Sequence, residues 1–278
     1  MSRNKAARRT GRVGIQVVLV FMAFVSLAPI AVILSIALKS NTELATNPLG
    51  FPHDWLFSNF LDAWSEAGIG RYILNSIIVS VPTLLIVVLA SSLAGYAFAL
   101  IRFRGREVIF TLFLVGLMLP AVSIVTALSF IEQSLGLYNT LPGLVLAESA
   151  MCLPLAVFIM RAAFKDLPGE LREAVFIDGG TEITAFFRVM LPLARPAVSA
   201  TIVLTFLTVW NDYLIPLVLI NTESLRTVPL GLAFLKTAFT SDTVLVAAST
   251  VLAAIPSILI YVLLQRQFIQ GIAQGSIK

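Results

Sequence analysis

Side chains able to do acid–base, nucleophilic or metal chemistry are few in this sequence and far apart. His53 is its one histidine and Cys152 its one cysteine. A structural or catalytic metal draws on three or four His, Cys or carboxylate ligands, and a Ser/His/Asp or Cys/His arrangement needs a histidine beside its nucleophile. Neither is within reach of a lone loop histidine. A disulfide or CxxC redox site is excluded by count. No Gly-x-x-x-x-Gly-Lys-Ser/Thr run is present to cradle a nucleotide phosphate. The chain is therefore expected to be no enzyme and to carry no metal or cofactor of its own. What remains are two acids set in apolar surroundings, Glu148 and Asp212, and a polar segment, 161–195, that carries charged residues and a glycine pair.

The elements that must position these residues are membrane spans. Of 278 residues, 58% are hydrophobic and 12% charged, about half the charge of a soluble domain, and the mean hydropathy is +0.96. A net charge of +4 gives little with which to neutralise nucleic-acid phosphates. Crossing the hydrocarbon core takes about 20 apolar residues. Stretches 13–38, 72–101, 108–131 and 243–265 lack Lys, Arg, Asp and Glu, while 141–160 and 196–220 each contain one acid, Glu148 and Asp212. The reading is an all-α polytopic membrane protein of six helices forming one domain over 1–278. The first span exceeds a signal-peptide core and reads as a retained helix. Fifteen of the 19 Lys and Arg fall in segments that lie inside if the N-terminus does, which places both termini in the cytoplasm.

Each span holds a proline away from its ends, at Pro29, Pro82, Pro120, Pro154, Pro216 and Pro256, so kinks are expected. Ser91, Gly95 and Ala99 form a small-residue stripe suited to close helix packing. Outside, Ser40–Gly70 reads as partly structured, with Trp55 and Trp64 as interfacial belt residues and His53 as an exposed loop residue.

Segment 161–195 reads as soluble sequence inserted into a membrane chain. Pro168 and Glu170 suit a helix start, Leu171, Ala174 and Val175 recur on one face, and Gly179–Gly180 ends the helix. Thr181 can cap a second helix carrying Phe186, Phe187 and Met190, ended by Leu191–Pro192. Two short helices with apolar faces either dock in a partner's groove or lie on the membrane surface; the residues alone leave both open.

Glu173-Ala174-Val175-Phe176-Ile177-Asp178-Gly179, nine residues, then Val189-Met190-Leu191-Pro192 resembles the EAA loop of ABC importer permeases. Val175 stands for the second Ala and Val189 for the usual Ile. Trp210-Asn211-Asp212-Tyr213-Leu214, Gln265–Gly271 and the ending Gln274-Gly275-Ser276-Ile277-Lys278 are similar to the carbohydrate, maltose-type branch. The resemblance implies a type I importer permease fold with a cytosolic coupling helix between spans 4 and 5. It also implies a second homologous permease subunit, two cytosolic ATPase subunits binding ATP and Mg, and an extracytoplasmic sugar-binding protein, all at a bacterial or archaeal cell membrane. By the same resemblance Glu173, Ala174, Asp178, Gly179, Leu191 and Pro192 contact the ATPase or shape the loop, with Gly275 and Ser276 in a tail that reaches toward it.

Helical rise puts Glu148 about 20 Å and Asp212 about 25 Å above the inner interface. A carboxylate facing lipid is costly. Either these acids, with Asn211 and Tyr213, line a polar substrate path, or they snorkel outward or bond a neighbouring helix. The expected function is sugar import by alternating access. The competing readings are a permease for a non-sugar substrate, an ion-coupled secondary transporter, and a membrane sensor or scaffold that uses the loop only for protein binding.

Overall fold

The computed structural model describes residues 3–238 and 242–275, which are helical with short connections. In chain order the helices are α1 (Arg3–Ala37), α2 (Asn41–Thr46), α3 (Ser58–Ser65), α4 (Ile69–Leu100), α5 (Arg106–Met118), α6 (Ala121–Ser134), α7 (Leu141–Asp166) and α8 (Glu170–Ile177). Then follow α9 (Glu182–Thr184), a π-turn (Ala185–Met190), α10 (Leu191–Leu193), α11 (Arg195–Asn211), α12 (Leu214–Leu219), α13 (Val228–Ala238) and α14 (Thr243–Gly275). Four of them, Ile15–Ala37 of α1, α4, α7 and Thr243–Leu263 of α14, are long and apolar enough to cross a membrane. The number rises to six if each of two bent pairs is one span.

One of those pairs, α5 with α6, and a separate break at Asp212 correct two of the expected helices; the other pair bends by 74° between Glu182–Leu193 and α11. Stretch 108–131 is not continuous: α5 and α6 meet at 108°. Leu119 is extended, with φ −82° and ψ 121°, the region that a following proline, Pro120, imposes. Stretch 196–220 is likewise interrupted after Asn211, where Asp212 is extended at φ −71° and ψ 129°. Pro216 sits four residues on, and with no N–H it cannot bond the Asp212 carbonyl. By contrast Pro29, Pro82, Pro154 and Pro256 lie inside continuous helices.

Contacts divide the chain into two units: Met1–Ile69 with Phe234–Leu252, and Gly70–Ala233 with Ala253–Lys278. In the first, the span of α1 makes no buried contacts until Ala37 and Leu38. Lys39 follows, fully buried, its ammonium donating to the carbonyls of Asn47 and Gly50 at 2.7 Å each. Asn59 ties α3 to the same strand of chain through the carbonyls of Ala37 and Lys39. Trp55, Trp64 and His53 are exposed, and the His53 ring lies 2.9 Å from Glu43.

In the second unit α7 is the most buried helix. Gly95 of α4 packs so closely on it that a Cβ there would lie 2.6 Å from Met160 Cβ and 2.8 Å from the Arg161 nitrogen, so the small-residue stripe is a packing device. Arg161 is 7% exposed, donates to the Phe98 carbonyl at 3.1 Å, and pairs with Glu107 of α5 at 2.6 Å. Trp210, buried at the end of α11, donates to the Ala253 carbonyl of α14 at 3.2 Å.

Candidate functional site

The segment between α7 and α11 is built around one glycine pair. α8 begins beside Gly169 with Glu170 and Glu173 in its first turn, where acids complement the helix dipole. It ends on Gly179, whose φ of 79° lies in the left-handed region that disfavours residues with a Cβ. The Gly180 N–H donates to the Val175 carbonyl at 2.8 Å and the Gly179 N–H to Phe176 at 3.0 Å, the paired closure of a Schellman turn. A Cβ at Gly180 would sit 2.5 Å from Val175 Cγ1. Val175 therefore faces the loop's own turn, half-buried, rather than the outer face expected from its spacing with Leu171 and Ala174.

Thr181 caps the next turn by accepting from the Thr184 N–H at 3.4 Å. Glu182 then anchors the loop. Arg172 of α8 donates to it through Nε at 3.1 Å and again through Nη2, and Tyr96 at the end of α4 donates its hydroxyl at 2.6 Å. The Arg172 guanidinium holds the Glu182 carboxyl below the usual carboxylate range, and the Tyr96 hydroxyl lowers it further. Below this pair Tyr96, Met160, Phe164, Phe186, Met190 and Ala194 form one buried cluster, with Leu191 packed on it. Leu191–Pro192 does not end the second helix as expected. Pro192 occupies an early position of α10, where its missing N–H costs nothing, and the chain turns at Ala194 into α11.

α8 buries no residue. Glu173, Ala174 and Asp178 are exposed, Ile177 is 86% exposed, and Ile183 and Phe187 extend the apolar surface. Among the described residues Glu173 has no ion-pair partner. Gly275 closes α14; Ser276 lies outside the described residues.

The structure brings the two intramembrane acids together. Glu148 of α7 is 1% exposed and neighbours Asp212, with its Oε1 buried without a hydrogen-bond partner. Asp212 spans the helix break, its carboxylate accepting from the Leu214 N–H at 3.0 Å and the Ile215 N–H at 3.2 Å, so it caps α12. This favours a bond to neighbouring structure over outward snorkelling. Asn211 and Tyr213 on either side are exposed. A cavity of about 140 Å³ between α5, α7 and α11 is lined by Thr201, Thr205 and Thr208 on one side and Met151 and Leu155 on the other. The Thr201 hydroxyl is buried without a partner.

Sequence reasoning missed Tyr96, the Arg172–Glu182 pair and the threonine row. The pairs join residues 10 and 86 positions apart, beyond any helical period. The threonines, however, sit at four- and three-residue steps along α11 and could have been noticed.

The sequence profile of the family described as "Binding-protein-dependent transport system inner membrane component" matches residues 86–274. The chain belongs to that family. Among other inner membrane components, it is 34% identical over 262 residues to the diacetylchitobiose uptake system permease protein NgcG of Streptomyces coelicolor, covering 94% of this chain and 87% of the relative. It is 34% identical to the arabinooligosaccharides transport system permease protein AraQ of Halalkalibacterium halodurans, covering 93% of each. To the trehalose transport system permease protein SugB of Mycobacterium tuberculosis it is 32% identical, covering 91% of this chain and 93% of the relative. In fold it matches a bacterial ABC transporter involved in import of the acidic polysaccharide alginate, with a TM-score of 0.81 at 23% identity, over 94% of this chain and 98% of that one. The chain is thus a multi-pass membrane permease of the ABC importer kind.

Proposed function

We propose that this chain is the membrane subunit of an ATP-driven sugar importer, with six crossings, both termini in the cytoplasm, and α8 as the helix that docks on an ATPase. The observation that carries the coupling role is the rigidly closed α8. A Schellman turn closes it and the Arg172–Glu182–Tyr96 bonds tie it to α9 and the end of α4, while Glu173, Ala174 and Ile177 stay uncovered. A helix tethered on one side and bare on the other fits the groove-docking mode. The expected partners are a second homologous permease subunit, two ATPase subunits holding ATP and Mg, and an extracytoplasmic sugar-binding protein. The substrate class is supported by relatives that carry diacetylchitobiose, arabinooligosaccharides and trehalose, carbohydrates all.

In this mechanism closure of the ATPase pair moves α8 and, through Glu182 and the aromatic cluster, the ends of α4 and α7. Hydroxyls of Thr201, Thr205 and Thr208 and the exposed Asn211 and Tyr213 offer hydrogen bonds to a passing sugar. Glu148 acts on this path through Asp212. The test is co-purification of the chain with its neighbouring gene products, comparing wild type with Glu173→Ala and Gly179→Asp. Retention of an ATPase by wild type and its loss in both variants is expected. A folded wild-type chain that brings down no ATPase overturns the proposal.

A further inference from the structure

The connection between α4 and α5 carries Arg102, Arg104 and Arg106 within five residues. Its one carboxylate is already engaged. Glu107 accepts from buried Arg161 at 2.6 Å on each oxygen and from Arg106 Nε at 3.2 Å. Arg161 is held in place by the Phe98 carbonyl and by the Phe110 ring, whose centroid lies 3.7 Å from its guanidinium carbon. Arg106 also donates to the Ile101 carbonyl. Arg102 and Arg104 remain exposed, with no carboxylate partner among the described residues. Three turn arginines plus Arg161, less Glu107, leave a local charge of +3.

These cations edge a groove of about 450 Å³ lined by Arg102, Phe103, Gly105, Arg106, Glu107 and Val108. Phe103 and Val108 are exposed apolar side chains, 40% and 65%, at the end of a membrane-crossing helix. Gly105, at φ 80°, makes the tight turn that sets arginines and apolar side chains around one groove. A free anion would use the arginines and leave Phe103 and Val108 uncovered. An amphiphile with an anionic head satisfies both halves, because guanidinium forks match phosphate oxygens and the apolar pair meets the first acyl carbons.

We propose that the α4–α5 turn binds the headgroup of an anionic phospholipid, with Arg102 and Arg104 on the phosphate and Phe103 and Val108 against the chains. The proposal rests on the reading that this turn lies at the cytoplasmic membrane surface, where anionic lipid and basic side chains attract. The test reconstitutes the importer complex, wild type or R102Q/R104Q, in phosphatidylcholine vesicles containing spin-labelled phosphatidylglycerol or spin-labelled phosphatidylcholine. Wild type is expected to immobilise phosphatidylglycerol in preference. R102Q/R104Q should lose that preference by about fivefold per arginine, R71Q should keep it, and high salt should weaken it in wild type. The charge-preserving R102K/R104K, expected to fall between wild type and R102Q/R104Q because it keeps the charge and loses the guanidinium fork, separates loss of charge from loss of fold. Equal phosphatidylglycerol preference in wild type and R102Q/R104Q, or none in wild type, overturns the proposal. So does inorganic phosphate stabilising detergent-solubilised wild type but not R102Q/R104Q while no lipid preference is seen, which would assign the site to a free anion. Sidedness is checked separately: R104C in a C152S background should react with an impermeant maleimide only after the cells are opened. Reaction in intact cells would overturn the topology rather than the lipid chemistry.

Discussion

Glu182 is gripped from two sides, and the grip depends on its charge. Its carboxyl is held below the ordinary range by Arg172, so ionisation contributes stability that is fully present above the unfolded carboxylate value. That contribution is lost as pH falls through the lower folded value. The pair is partly exposed, so its worth is at most about 1 kcal/mol. Glu182→Gln should therefore raise amide exchange across the loop relative to wild type near neutral pH, and the ratio should shrink once pH falls below the ordinary carboxylate range. A difference that does not change with pH would mean that shape, not charge, holds the loop. Gly179 is the other decisive residue. Its φ of 79° makes Gly179→Ala cost about 1–2 kcal/mol while Asn is tolerated better. Amide exchange at Gly180, whose N–H bonds Val175, should rise in the order Gly, Asn, Ala.

At the scale of elements the decisive feature is a break. Asp212 supplies both acceptors that start α12, and loss of such a cap costs about 1 kcal/mol. Asp212→Asn keeps one carbonyl oxygen for capping and should retain more uptake than Asp212→Ala at equal expression. Equal loss in both would mean that the negative charge, not the cap, is what matters. The same element shows what the sequence could and could not disclose. Apolar runs, charge-free or holding a single acid, pointed to α1, α4, α7 and α14, the helices long and apolar enough to cross a membrane, because that is a matter of length and hydropathy alone. The breaks at Leu119–Pro120 and Asp212 were hidden because hydropathy runs straight through them. Proline did not mark them uniquely either, since Pro82 and Pro154 sit in unbroken helices. The loop's turn was legible in Gly179–Gly180. That Glu148 meets Asp212, and that Tyr96 meets Glu182, depends on packing between spans, which no local pattern encodes.

At the scale of the molecule, motion imposed on α8 has to reach the spans through few links. Phe186 and Phe164 are apolar links, their ring centroids 6.2 Å apart; the Tyr96 hydroxyl on Glu182 is the polar one. These can be separated. Tyr96→Phe keeps the ring that packs edge-on to Phe164 and Phe186 and deletes only the 2.6 Å bond. Phe186→Ala instead opens a buried cavity costing about 3–5 kcal/mol, and should reduce assembly itself. Reconstituted with its ATPase partners and binding protein, the Tyr96→Phe complex is expected to assemble and hydrolyse ATP at near wild-type rate. Its sugar uptake per ATP should fall severalfold, because α8 can then shift without carrying α4. If uptake per ATP is unchanged, the aromatic cluster alone transmits the motion, and the Arg172–Glu182–Tyr96 bonds serve only to fold the loop.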